Sequence, residues 1–67
     1  MRDTDLYKKM TPYMACAYAE GFCEGEGASE EEVITAWQYI RDTKLWQHLQ
    51  GFYGRTVHQL LEEGVIE

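Results

Sequence analysis

Ser29-Glu30-Glu31-Glu32-Val33-Ile34-Thr35-Ala36-Trp37-Gln38-Tyr39-Ile40 is the stretch whose reading decides the fold. Its first four residues form a capping box. The Ser29 hydroxyl is placed to accept from the backbone N–H three residues on, and the Glu32 carboxylate to reach back to the Ser29 N–H. Three acids in the first turn suit the positive end of a helix dipole. Val33, Ile34, Trp37 and Ile40 then recur at three- and four-residue spacing, one buried helix face running to about Asp42-Thr43. The β-prone run Val33-Ile34-Thr35 falls just inside this helix start, so the pattern reads as helical throughout.

Working toward the N-terminus, Thr11-Pro12 reads as a helix start, with Thr11 as N-cap and Pro12 at the first helical position. Pro12 disfavours helical geometry at Thr11, so any short helix over residues 3–9, with Leu6 and Tyr7 apolar, breaks there. From Pro12 the residues Tyr13, Met14, Ala17, Tyr18, Gly21 and Phe22 lie on one apolar stripe, which predicts a helix over 12–24 ended by Gly25-Glu26-Gly27. Ala15, Cys16, Ala17 and Ala19 are small enough to let a neighbouring helix come close.

Toward the C-terminus, Asp42 or Thr43 is placed to cap a short helix over Leu45–Gln50. Gly51 then turns the chain, and a last helix from near Phe52 buries Val57, Leu60 and Leu61. Gly64 stands where a left-handed C-cap residue is wanted, with Val65 packing back on Leu60 in a Schellman pattern. Glu62 and Glu63 sit at the negative end of that helix, a small cost without an explanation in the sequence. The expected fold is all-α: one domain over residues 1–67, a compact bundle of three to four short helices.

A chain of 67 residues is at the lower limit for a self-sufficient core. It buries only about 60% of the surface its unfolded form exposes, and self-association is one common remedy. Its nine aromatic residues exceed what such a core encloses, so some of Tyr7, Tyr13, Tyr18, Tyr39, Trp46, Phe52 and Tyr53 are expected on the surface. Self-association as a homo-oligomer follows as an expectation.

The net charge is −6, and it is localised. Residues 20–32 hold six glutamates and no base, leaving six acids and six bases elsewhere. Without a basic stripe, nucleic-acid binding is disfavoured. The acidic stretch is either a solvated loop and helix start or a surface that attracts a basic partner. No apolar run approaches the ~20 residues of a membrane span. The charged start, Met1 to Asp5, leads into no apolar segment, so a cytosolic location is expected. Cys16 and Cys23, read on one helix, would lie about 10 Å apart, beyond disulfide reach. With His48 and His58 they match no zinc spacing, so neither metal nor cofactor is expected.

The candidate site is the segment Leu45–Thr56, which places a Trp, a Phe, a Tyr and two glycines around Arg55. Arg55 is the only Lys or Arg after Lys44. Trp46, His48, Phe52, Tyr53, Arg55 and Thr56 are the candidate ligand- or partner-binding residues. Aromatics and Arg are the residue types enriched at binding hot spots. A helix start carrying Arg55 and Thr56, with Tyr53 or Trp46 to stack on a ring, also suits a nucleotide phosphate. Against this, Gly51 reads as a turn, Gly54 as a close packing contact, and Arg55 as the partner of Asp42 or a C-terminal Glu. For catalysis, Cys16, Cys23 and Ser29 are the nucleophiles to consider and His48 and His58 the bases. Ser29 is explained by capping and the histidines read as surface or rim residues, so no enzyme is expected.

The strings Asp42-Thr43-x-Leu45, Leu49-Gln50-Gly51-x-Tyr53-Gly54-Arg55-Thr56 and Leu61-Glu62-x-Gly64-Val65-Ile66 resemble a family of small uncharacterised proteins of tailed bacteriophages. The likeness spans about residues 29–66. It departs at Lys44, where the family tends to have Gly, and at Trp46, which the family tends to place one position later. The helix from Pro12 to Glu24 has no counterpart. The resemblance implies a phage accessory protein in the host cytoplasm that binds and inhibits a host or defence protein. A sequestering protein for a nucleotide-type immune signal, or a small virion or regulatory protein, are the alternatives.

Overall fold

A computed structural model describes residues 2–67. Met1, the first residue of the charged start, lies outside them. Four α-helices follow one another: α1 (Asp5–Lys8), α2 (Pro12–Glu20), α3 (Glu30–Asp42) and α4 (Gly51–Glu62). One 3₁₀ turn, Cys23–Gly25, joins α2 to α3, and a second, Leu45–His48, joins α3 to α4. There is no strand among the described residues. The fold is an all-α bundle, with α3 as the central element touching α1, α2, the second 3₁₀ turn and α4.

The capping box of α3 is present in both halves. Glu32 N donates to Ser29 Oγ at 3.2 Å and Ser29 N to Glu32 Oε1 at 2.9 Å. The helix ends at Asp42, as its pattern predicts. Its burial is wider than one stripe, because neighbours pack on several sides: Thr35, Ala36, Trp37, Gln38 and Ile40 are all buried. Val33 and Ile34 are only half-buried. The core adds Met10, Ala15, Tyr53, Val57 and Ile66 to Ala36, Trp37 and Ile40. A radius of gyration of 10.7 Å matches the ~11 Å expected of a compact chain of this length.

The start of α2 is as read: Thr11 Oγ1 accepts from Met14 N at 3.1 Å and Pro12 occupies the first turn. Its end is not. The helix stops at Glu20, and Gly21 takes the left-handed conformation with φ 77°. The N–H groups of Gly21 and Phe22 both return to Ala17 O, at 2.8 and 3.0 Å. Gly21 is therefore a C-cap rather than a member of an apolar stripe. The buried residues of α2 are the small ones, Ala15 and Ala17, while Tyr13 is 53% and Phe22 39% exposed. Cys16 and Cys23 lie on separate elements and both are free thiols.

The reason for the early stop is a close backbone crossing at Gly25. A Cβ there would lie 2.0 Å from Ala17 O and 2.5 Å from Tyr18 Cα. The chain must leave the helix and fold back against its last turn, and only a residue without a side chain fits.

The 42–51 region also differs from expectation: in place of a helix over Leu45–Gln50 the chain forms only the four-residue 3₁₀ turn Leu45–His48. Asp42 does not cap the following turn. Lys44 stands at that position in the left-handed conformation, φ 59°, with no side-chain cap. Asp42 instead accepts from Arg2 Nε at 2.7 Å, Arg2 Nη2 at 3.0 Å, Tyr7 Oη at 2.6 Å and Gln38 Nε2 at 2.9 Å. That set of donors excludes the pairing with Arg55. α4 begins at Gly51 itself, after Gln50, which makes no side-chain cap bond. Its C-terminal Schellman ending is as predicted: Val65 N donates to Leu60 O at 3.0 Å and Gly64 N to Leu61 O at 3.2 Å.

Candidate binding groove

The C-terminal turn of α3, the second 3₁₀ turn and one face of α4 enclose a groove of about 300 Å³. Arg41, Lys44, Trp46, Gly54, Val57, His58 and Leu61 line it. Along α4 the spacing Gly54, Val57, His58, Leu61 is one helix face, so a single straight element supplies the floor. Trp46 is half-buried and lies against that face where a side chain is missing: a Cβ on Gly54 would sit 3.3 Å from Trp46 Cε3. Gly54 is thus the packing contact the sequence suggests. A shallower depression adjoins the groove, shares Gly54 and His58 with it, and adds Arg55, Gln59 and Glu62.

The charges here are unusual for so acidic a chain. Arg41, Lys44 and Arg55 are half of its six Lys and Arg residues. Among the described residues none of the three makes an ion pair or side-chain hydrogen bond. Arg41 Nε is buried and has no acceptor. Such a donor is costly to leave unmet, at about 1–3 kcal/mol. His58 Nε2 stands 3.7 Å from Glu62, and both are exposed.

The six residues singled out from the sequence are divided by the fold. Trp46 and Arg55 reach the groove and its extension. His48 is exposed at the end of the 3₁₀ turn and lines neither depression, and Thr56 is half-buried away from both. Phe52 is half-buried with its ring centroid 4.3 Å from that of Tyr53. Tyr53 is a correction: it is only 2% exposed, a core residue packed 5.5 Å from the Trp37 ring. Its hydroxyl donates to the Glu20 carboxylate, joining α4 to the end of α2. Burial, then this bond, pushes the phenol well above its ordinary range. Tyr53 is therefore not available to stack on a ligand.

Arg41, Lys44 and His58 complete the site, and the sequence reading did not join them to it. The usable signal was spacing: Arg41 and Lys44 are three apart, as are Arg55 and His58, while Gly54, His58 and Leu61 share one helix face. What no spacing shows is that the end of α3 faces the middle of α4.

Other titratable clusters are explained structurally. Asp42 is held down to about 2, chiefly by the Arg2 guanidinium. Tyr13 is raised to about 12, first by its hydrogen bond with Cys23. Among the described residues no three His, Cys, Asp or Glu side chains gather as a metal site would require. No helix there is long and apolar enough to cross a membrane. No protein-family model, curated protein or solved structure matches this chain.

Proposed function

We propose that this protein is a non-enzymatic binder that captures an anionic component of its target through the groove between α3 and α4. One observation carries the reading: a chain of net charge −6 gathers three unpaired cations around an aromatic, apolar-floored depression. Arg2, by contrast, is paired with Asp42. Arg41 and Lys44, which share their groove with an indole and no carboxylate, are suited to an incoming anion; Arg55 lies in the adjoining depression with Glu62. The acidic start of α3 does not cancel them. Glu31 and Arg41 are about 15 Å apart along the helix, beyond the ~8 Å screening length of physiological salt.

The resemblance to small tailed-phage proteins supports the setting: a phage accessory protein that inhibits a host or bacterial-defence component by occupying it. Self-association belongs to the same proposal. Tyr13 and Phe22 are exposed in edge-to-face contact at 6.3 Å, an aromatic patch away from the core that a second copy would cover.

The test is affinity capture from bacterial lysate with the wild-type protein and with a Lys44→Gln/Arg55→Gln variant, both carried by the same tag. A component retained by the first and lost by the second is the expected result. Equal capture by both, or none by either, counts against the groove. Sedimentation of the purified protein, with Tyr13→Ser/Phe22→Ser beside it, reads the oligomeric state.

A further inference from the structure

Arg41, Lys44 and Trp46 define more than a general affinity for acids. Arg41 presents a planar guanidinium whose Nε–H has no acceptor. An oxygen-rich anion on this guanidinium would give an acceptor to a donor the folded chain leaves unmet. Lys44, three residues on, lines the same groove. Its backbone is held at φ 59°, a conformation that disfavours any residue with a Cβ, so the ammonium is placed there against the local preference of the chain. Non-glycine residues in such a conformation concentrate at ligand sites.

The negative end of the α3 dipole lies nearby, with two of its last carbonyls occupied. Tyr39 O accepts from Thr43 N at 3.0 Å and from Thr43 Oγ1 at 2.8 Å, and Arg41 O accepts from Lys44 N at 3.2 Å. The remaining walls are an indole, a glycine, the His58 imidazole and two aliphatic side chains, Val57 and Leu61. Two cations in the lining of a largely apolar groove of about 300 Å³ that also holds an aromatic ring match a phosphate joined to a flat ring. That volume is at the small end of the ~300–1,000 Å³ of ligand sites, which suits a single nucleotide unit.

We infer that the groove binds a nucleoside phosphate, with Arg41 and Lys44 on the phosphoryl oxygens, His58 at the rim and the base or sugar against Trp46 and the apolar floor. The inference rests on the anion-capturing reading above and narrows it to one ligand class. The six residues proposed from sequence contribute only Trp46 to this pocket; the two that hold the phosphate come from the last turn of α3 and from the residue before the second 3₁₀ turn.

The experiment is calorimetric titration of the intact protein with ADP, pyrophosphate, adenosine and hexaglutamate at matched ionic strength, with the Trp46 indole N–H followed by NMR. ADP is expected to bind, more tightly than pyrophosphate and far more tightly than adenosine, and to move the Trp46 resonance. Lys44→Gly and Arg41→Gln are each expected to weaken ADP about tenfold or more, the loss of one charge-assisted hydrogen bond. Lys44→Gly is the decisive variant, because glycine is at ease at φ 59° and the change is expected to leave the protein folded. ADP binding no tighter than pyrophosphate overturns the nucleoside part of the assignment. Hexaglutamate binding that needs Arg41 and Lys44, with no binding of ADP, overturns the nucleotide class and leaves the anionic groove standing. Binding of neither overturns both.

Discussion

Arg2 and Asp42, forty residues apart, are joined by two parallel hydrogen bonds, from Nε at 2.7 Å and Nη2 at 3.0 Å. Asp42 also takes Tyr7 Oη and Gln38 Nε2, and Gln38 Oε1 accepts from Glu67 N at 2.8 Å. The network therefore ties the N-terminal segment, α3 and the C-terminus to one buried amide and one carboxylate. The Asp42 carboxyl is held down to about 2 from 3.8, with Arg2 as the main cause. A lowered carboxylate stabilises the fold above its unfolded pKa and loses that contribution as pH falls through the folded one. Stability is expected to fall between pH 3.8 and about 2 on this account. Asp42→Asn should cost about 2 kcal/mol at pH 7, and urea unfolding of the variant should lose this part of the acid dependence.

Tyr53 and Glu20 give a second, alkaline signature. The phenol is raised by burial and by the carboxylate it faces. A raised group contributes below its unfolded pKa, and the contribution is lost as pH climbs through the folded value. Absorbance titration of the tyrosines is expected to show one that ionises only as the protein unfolds. Tyr53→Phe should remove that component and cost about 1 kcal/mol, since Glu20 is exposed and water replaces the hydroxyl. Tyr53→Ala should cost about 3–5 kcal/mol through the cavity it leaves.

Gly25→Ala is expected to be among the most damaging small substitutions. The new Cβ meets backbone, with Ala17 O at 2.0 Å, and backbone cannot step aside as a side-chain tip can. A loss of about 3 kcal/mol or more is expected, at the upper end of overpacking effects. Thermal unfolding measures it; a variant within 1 kcal/mol of wild type, on the order of a surface substitution, would show that the crossing of Gly25 over the α2 end is wrong.

Ser29→Ala removes the acceptor of the Glu32 N–H and should cost about 1 kcal/mol. Glu32→Ala removes the reciprocal half. The double variant should cost less than the sum, because the two bonds hold the same turn, and a double-mutant cycle in urea reads this coupling.

Lys44→Gly separates stability from binding. Relief of the left-handed backbone at φ 59° should stabilise the fold by about 1 kcal/mol. The same change should abolish or sharply weaken anion binding in the groove. A rise in Tm with loss of affinity is the expected pair of results.

Local signals predicted local structure well. The capping box at Ser29, the Thr11-Pro12 start and the Gly64 ending are written in residues that bond within one turn, so neighbours in sequence suffice to read them. The same short-range rules missed the end of α2, because Tyr13 and Phe22 fit a helical stripe by spacing while Gly25 requires the chain to cross over Ala17. They placed Tyr53 in a binding patch for its residue type, whereas packing against Trp37 puts it inside.

The all-α class, the start of α2 and both ends of α3 were determined by the sequence alone, since periodicity and capping act over three or four residues. Tertiary structure decided which charges meet. Asp42 belongs to Arg2 and not Arg55, and Arg41 and Lys44 are left unpaired opposite His58 on α4, because helix packing brings together residues that no sequence interval relates. The groove exists only once α3 and α4 are docked.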